Sequence, residues 1–167
     1  MAPLSQKGYT LVETMVVLGI TASLSVLGVV TFSAQIAHNH LTDAARQILS
    51  DLRLVRQKAI TEGVNGPVRF DPEGRKYFLL GLGERTLPAQ VRFGLGEGVP
   101  PLPDTVLPDD GISFRENIVT FQPNGTMTGV GGVVYLTNDS VHNETIAISV
   151  ITTGRVKIRR WNGNVWR

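Results

Sequence analysis

Gly8-Tyr9-Thr10-Leu11-Val12-Glu13-Thr14-Met15-Val16-Val17-Leu18-Gly19-Ile20 opens the stretch that decides the fold of this 167-residue chain. From Leu11 to Ala34 the only charge is Glu13. As a helix that run would extend about 36 Å, enough to cross a bilayer core. A secretory signal would be shorter and would end in a small-x-small cleavage site; Ser33-Ala34-Gln35-Ile36-Ala37 is a poor one. A plain membrane anchor fits the length but leaves Glu13 unexplained. An unpaired carboxylate costs roughly 2.5–3.5 kcal/mol at the centre of a spanning helix, and less near its end. A buried carboxylate needs a buried partner.

The helical pattern continues past the apolar run. Leu41, Ala44, Ala45, Ile48, Leu49, Leu52, Val55, Ala59 and Ile60 recur at helical spacing, with polar residues such as Asp43, Arg46, Gln47, Ser50, Arg53, Gln57 and Lys58 between them. This predicts an amphipathic helix whose apolar stripe packs on a sheet, with Gly63 as its C-cap. One helix from Tyr9 to Glu62 would be about 80 Å long. Beyond Gly63 the pattern is all β. Strands are expected at Val68–Phe70, Lys76–Leu80, Gln90–Phe93, Ile118–Gln122, Val133–Thr137, Thr145–Ile151 and Arg155–Trp161, with a last short one at Asn164–Arg167. Asp71-Pro72-Glu73-Gly74, Pro123-Asn124-Gly125 and Asn162-Gly163 supply turns, and residues 94–111 a Gly/Pro-rich loop. The fold class is α+β, a long N-terminal helix packed on a C-terminal antiparallel sheet head.

Composition narrows the functions. The length allows one small domain plus an appended segment. There is no Cys, which excludes disulfides, thiolate metal sites and a Cys nucleophile. The net charge of +2 does not by itself point to nucleic acid, but from Gly154 onward there are five Arg/Lys and no acid. His38 and His40 lie two apart on a helix, so they do not form an i, i+4 metal pair; they fall at the expected membrane–water boundary. No His–carboxylate–nucleophile set is evident, and the glycines of Gly94-Leu95-Gly96-Glu97-Gly98 lack the βαβ context of a dinucleotide site. Asp109-Asp110-Gly111 reads as a turn, with a calcium loop as the alternative. The expectation is a non-enzymatic protein with no cofactor and no metal.

Gly8-Tyr9-Thr10-Leu11-Val12-Glu13 closely resembles the type IV prepilin cleavage motif, the class III signal. In that family a prepilin peptidase cuts after the Gly and methylates the new N-terminus. The resemblance implies cleavage after Gly8, methylation at Tyr9, and Glu13 as fifth mature residue, pairing with the α-amino group of a neighbouring subunit. Two departures are visible: Tyr9 stands where Phe is usual, and no Pro kinks the apolar segment, although Gly19 and Gly28 could loosen it. The helix from Ala44 to Ile60, the Phe121-Gln122-Pro123-Asn124-Gly125 hairpin and Thr153-Gly154-Arg155-Val156 resemble the GspH/FimT group of minor pseudopilins and minor pilins. The implied organisation of this pilin fold is a leader over residues 1–8, a transmembrane or filament-core helix over 9–37, and a head over 38–167, its amphipathic helix over 38–62 and its sheets over 64–167. The implied role is a structural subunit of a type II secretion pseudopilus or type IV pilus. Its partners would be other pilin or pseudopilin subunits, the prepilin peptidase and the bacterial inner membrane, with the head in the periplasm or on an extracellular filament.

The C-terminal basic segment raises a second partner, DNA. In a strand, Arg155, Lys157 and Arg159 line one face with Trp161, while Val156 and Ile158 point inward; Arg160 and Arg167 add charge nearby. A basic stripe beside an aromatic suits a phosphate backbone. Some FimT-like minor pilins are DNA receptors in natural transformation and use a Gly-Arg-x-Arg motif near the C-terminus. Here Gly154-Arg155-Val156-Lys157 keeps the charge but loses the bidentate fork at its last position. The alternative is a solvated face, or a contact with acidic neighbours in the filament.

Overall fold

The computed structural model describes residues 9–103, 105, 109–138 and 144–167, without the side chains of 26–37. The chain divides into two compact units, residues 1–36 and 37–167. A single α-helix, α1, is assigned to Leu11–Glu62 and enters both. In the first unit Tyr9, Leu11, Val12, Met15, Leu18 and Leu24 are all well exposed. The hydroxyls in this stretch bond back to the helix itself: Thr21 Oγ1 donates to the Val17 carbonyl at 2.7 Å, Ser23 Oγ to Gly19 at 2.9 Å and Ser25 Oγ to Thr21 at 2.8 Å. Such back-bonding satisfies a polar side chain without water.

In the second unit α1 ends immediately before Gly63, as expected. Leu41, Ala44, Ala45, Ile48, Leu52, Val55 and Ala59 are buried at spacings of three and four, the signature of one helix face. Ile60, expected on that stripe, is 42% exposed. Ala59 takes the buried position, and one residue further turns the side chain about 100° away from the core.

Among the described residues two four-stranded antiparallel sheets follow. The first has the order β3-β2-β1-β5: β1 is Gly66–Asp71, β2 Lys76–Leu79, β3 Gly83–Thr86 and β5 Ile118–Phe121. The second has the order β4-β6-β7-β8: β4 is Val91–Phe93, β6 Gly132–Asn138, β7 Thr145–Val150 and β8 Val156–Arg160. The inner faces of both sheets meet the helix stripe in one core, with Val68, Phe70, Tyr77, Val119 and Phe121 from the first and Val134, Leu136, Ile146, Ile148 and Val156 from the second. β1 and β2 are joined by the expected turn, where the Asp71 carboxylate accepts the Gly74 N–H at 3.0 Å.

The structure corrects one expectation and adds two features that the pattern did not give. β3 has no counterpart in the pattern, because Gly83-Glu84-Arg85-Thr86 is exposed throughout and carries no apolar alternation. The stretch Asn164–Arg167 is not a strand. Asn162 Oδ1 accepts from the backbone of Asn164 and Val165, turning the chain so that Arg167 pairs through its backbone with Arg160 at the end of β8. From Gly94 to Leu102 the loop is seated on the protein. Val133, Tyr135 and Ala147 form a second apolar cluster with Leu102, on the face of the second sheet opposite the main core. The Tyr135 hydroxyl accepts the Leu102 N–H at 3.0 Å, and Thr145 Oγ1 accepts the Gly96 N–H at 2.8 Å.

One polar bond ties α1 to the first sheet. The Tyr77 hydroxyl donates to Asp51 Oδ2 at 2.6 Å, and Arg85 Nε lies 3.8 Å from the same oxygen. Burial, then the hydrogen bond to Asp51, then the negative charge of Asp51 push the Tyr77 phenol well above its ordinary value of 10.0, against a smaller opposing effect of Arg85. Above that value the folded state keeps a proton that the unfolded chain loses, so this contribution is complete at neutral pH and is lost as pH rises past about 10. Replacing Tyr77 by Phe is expected to cost about 1–3 kcal/mol at pH 7. In urea titrations the difference between wild type and Y77F should narrow above pH 10; a constant difference up to alkaline pH would contradict this account.

Candidate functional site

Three features coincide with the residues singled out above. The first is the start of α1. Gly8 lies outside the described residues. Tyr9 is 83% exposed. Thr10 is the helix N-cap: its Oγ1 accepts the Glu13 N–H at 3.2 Å, and its carbonyl accepts the Thr14 N–H at 3.2 Å. Glu13 therefore occupies the third helical position of a Thr-x-x-Glu box, where a carboxylate also complements the helix dipole. This local role for Glu13 adds to the one its charge suggests, and its signal, a Thr three residues before an acid at the head of an apolar run, is in the sequence. Among the described residues no helix is long and apolar enough to cross a membrane. The expected span runs through 26–37, whose side chains are outside that set.

The second feature is β8. Its alternation is as expected: Arg155, Lys157 and Arg159 are exposed, Val156 is buried and Ile158 half-buried. None of the three cations has an ion pair among the described residues. Arg160 stands on the opposite face and is tied to α1. Its Nη2 donates to Thr42 Oγ1 at 2.7 Å, and its Nη1 lies 3.3 Å from His38 Nε2. A guanidinium has only donors, so Nε2 must accept; the ring proton then sits on Nδ1, facing Glu144 Oε1 at 2.7 Å. His38 and Arg160 thus anchor the start of the head helix to the end of β8. Trp161 is half-buried against Trp166, ring centroids 5.6 Å apart, and Trp166 in turn meets Tyr135 at 6.0 Å and donates its Nε1–H to the Pro100 carbonyl at 3.0 Å. The aromatic beside the stripe is therefore a packed residue, and Arg160 belongs to a different surface. Among the described residues no three His, Asp or Glu side chains gather as metal ligands. Asp110 is used in a turn, accepting from the Ile112 N–H at 3.1 Å and the Asn117 amide at 2.7 Å.

The third feature joins the segments whose sequence looked most distinctive. Gly154, in the β7–β8 turn, has φ +76°, and a Cβ placed on it would lie 2.0 Å from the Gly125 carbonyl oxygen. That oxygen also accepts Arg56 Nε–H at 2.8 Å. One carbonyl of the hairpin after β5 thus receives the helix and touches the turn of the second sheet. The family model for type II transport protein GspH matches residues 44–154, about two thirds of the chain and the span that begins in the helix and ends at this turn. The chain belongs to the GspH family.

The GspH-family fold recurs in solved structures. The minor pseudopilin EpsH from the type 2 secretion system of Vibrio cholerae is similar at 15% identity and TM-score 0.50, over 71% of this chain and 95% of that one. The type IV minor pilin FimU of Pseudomonas aeruginosa PAO1 is similar at 14% identity and TM-score 0.53, over 78% of this chain and 94% of that one. At such identities the likeness shows the fold, a helix packed on antiparallel sheets. No curated protein matches the chain in sequence. The Gly125–Gly154 contact makes a sharp prediction for this GspH-family head. Gly154→Ala is expected to cost about 2–4 kcal/mol, combining positive-φ strain with a backbone clash. Gly163→Ala, also at positive φ but with nothing within 4 Å, should cost only the strain, about 1 kcal/mol. Equal losses in denaturant titrations would remove the contact as the cause.

Proposed function

We propose that this GspH-family chain is a minor pseudopilin or minor pilin, a structural subunit that assembles through the first half of α1. The observation that carries this reading is the exposed apolar surface there: Leu11, Val12, Met15, Val16, Val17, Leu18, Ile20 and Leu24 are all more than half exposed. A contiguous apolar surface of this kind is stable only against lipid or other subunits. The back-bonded hydroxyls of Thr21, Ser23 and Ser25 suit such surroundings. In this reading a prepilin peptidase cuts after Gly8 and methylates Tyr9. The helix rests in the bacterial inner membrane before assembly, and in the filament Glu13 meets the new α-amino group of its neighbour. Family membership and fold support subunit assembly; the leader motif in the sequence supports the processing.

Mass spectrometry of the mature chain is expected to find an N-methylated Tyr9 start, and an intact Met1 or a cut elsewhere would refute it. Glu13 has two roles to separate. Thr10→Ala removes the cap, at about 1 kcal/mol of local helix stability, and should leave assembly largely intact. Glu13→Gln keeps the size of the side chain, loses the charge, and should reduce crosslinking to neighbouring subunits by tenfold or more, the loss of a buried charge pair. Equal assembly of Glu13→Gln and wild type would leave Glu13 with the capping role alone.

A second reading places DNA on β8. It is favoured by the exposure of Arg155, Lys157 and Arg159 on one face without acidic partners among the described residues. Three phosphate contacts predict a log–log salt slope of about −2.7 for duplex DNA, from about −0.9 per contact. Affinity unchanged by salt, or by replacing all three with Ala, would rule it out.

A further inference from the structure

A groove of about 280 Å³ lies where α1 passes the β7–β8 turn, lined by Arg53, Arg56, Gln57, Gly154, Arg155 and Val156. Three guanidinium side chains line it and no carboxylate does. None of the three has an ion pair among the described residues. Arg53 and Arg56 stand three apart on one helix face, where like charges repel unless a counter-anion sits between them.

Arg56 is the fixed member. It is half-buried, and its Nε–H is committed to the Gly125 carbonyl at 2.8 Å. That uses one of five donors and holds the planar fork in place, so the ordering cost of the side chain falls on folding rather than on binding a ligand. Its terminal nitrogens have no hydrogen-bond partner among the described residues and are not buried, so they reach solvent on a residue that lines the groove. Arg155 is positioned by its neighbour, since Gly154 is pressed against the Gly125 carbonyl. The turn that carries Arg155 is therefore locked to the oxygen that locks Arg56.

We propose that this groove binds a phosphate group, held by Arg56 with Arg53 and Arg155 closing around it. Phosphate fits better than carboxylate. A dianion offsets more of three cations than a monoanion does, and its oxygens accept the parallel N–H pairs of more than one guanidinium. The proposal does not rest on DNA binding at β8: Lys157 and Arg159 do not line the groove, and only Arg155 is shared.

The test uses the full chain in a non-ionic detergent, with the Nε–Hε signals of arginines followed by NMR at constant ionic strength. Inorganic phosphate is expected to shift Arg53, Arg56 and Arg155 together and saturably, with a dissociation constant on the order of 1 mM. Acetate should bind at least tenfold more weakly. Arg53→Ala, and Arg56→Lys, which keeps the charge but loses the fork, should each weaken phosphate at least fivefold. The Lys157→Ala, Arg159→Ala double variant should leave it within twofold. If Arg56→Lys unfolds, Arg53→Ala decides alone, because its exposed side chain has no structural bond among the described residues. Linear shifts, or equal affinity in Arg53→Ala and wild type, would overturn the site. Acetate binding as tight as phosphate would overturn the choice of anion. A short DNA duplex that moves Arg53 and Arg56 when inorganic phosphate does not would assign the groove to a phosphodiester chain and overturn the dianion assignment.

Discussion

The carbonyl oxygen of Gly125 carries an unusual number of relationships for one backbone atom. It receives Arg56 Nε–H from the helix, and it lies so close to Gly154 that no side chain fits there. Gly125 follows β5 of the first sheet, while Gly154 turns between β7 and β8 of the second. Nearby, the Met127 N–H donates to the Thr152 carbonyl, a second backbone tie between the same two turns. Apolar burial is non-directional, so a core shared by a helix and two sheets does not by itself determine how the sheets are offset. A half-buried hydrogen bond with defined geometry, beside a contact only glycine allows, does. The turn that leads into β8 is thereby held beside the helix.

β8 segregates its charge by strand alternation. With Val156 committed to the core, the period of two sends Arg155, Lys157 and Arg159 outward and brings Arg160 back to the helix, where Thr42 and His38 meet it. Four basic residues within six positions therefore have two different roles. Three form a surface without acidic partners among the described residues. The fourth is a structural tie whose loss would leave the His38–Glu144 pair without its third member.

Much of this was legible in the sequence, and the exceptions have physical causes. The helix followed from apolar spacing between Leu41 and Ala59, and β1, β5, β6 and β7 from short apolar runs closed by Gly, Pro and Asn. β3 was not legible, because an edge strand with both faces wet needs no apolar alternation. Trp161 was expected on one face with the basic stripe; its contact with Trp166 depends on a tail that folds back through Asn162, and periodicity does not report such a turn. The Thr10–Glu13 cap was present as a motif, but the cost of a charge in an apolar run drew the reading toward distant partners and away from a local one. The Arg56–Gly125–Gly154 junction joins residues up to 98 positions apart, and a single sequence holds no sign of which distant glycine a carbonyl will press against.

The cap at Glu13 and the assembly role proposed for it are compatible because they use different atoms. Capping here engages the backbone N–H of Glu13, which leaves the carboxylate unused by that bond. A side chain at the third helical position also points back toward the helix start, since Cα–Cβ bonds tilt toward the N-terminus. In a chain that began at Tyr9, a neighbour's α-amino group brought to that end would meet a carboxylate already held on a rigid first turn. The helix dipole favours the same carboxylate while no partner is present. Under the proposed function, a Thr-capped acid at the head of an apolar helix would lower the cost of carrying the charge into a membrane and leave the carboxylate available to an incoming amine.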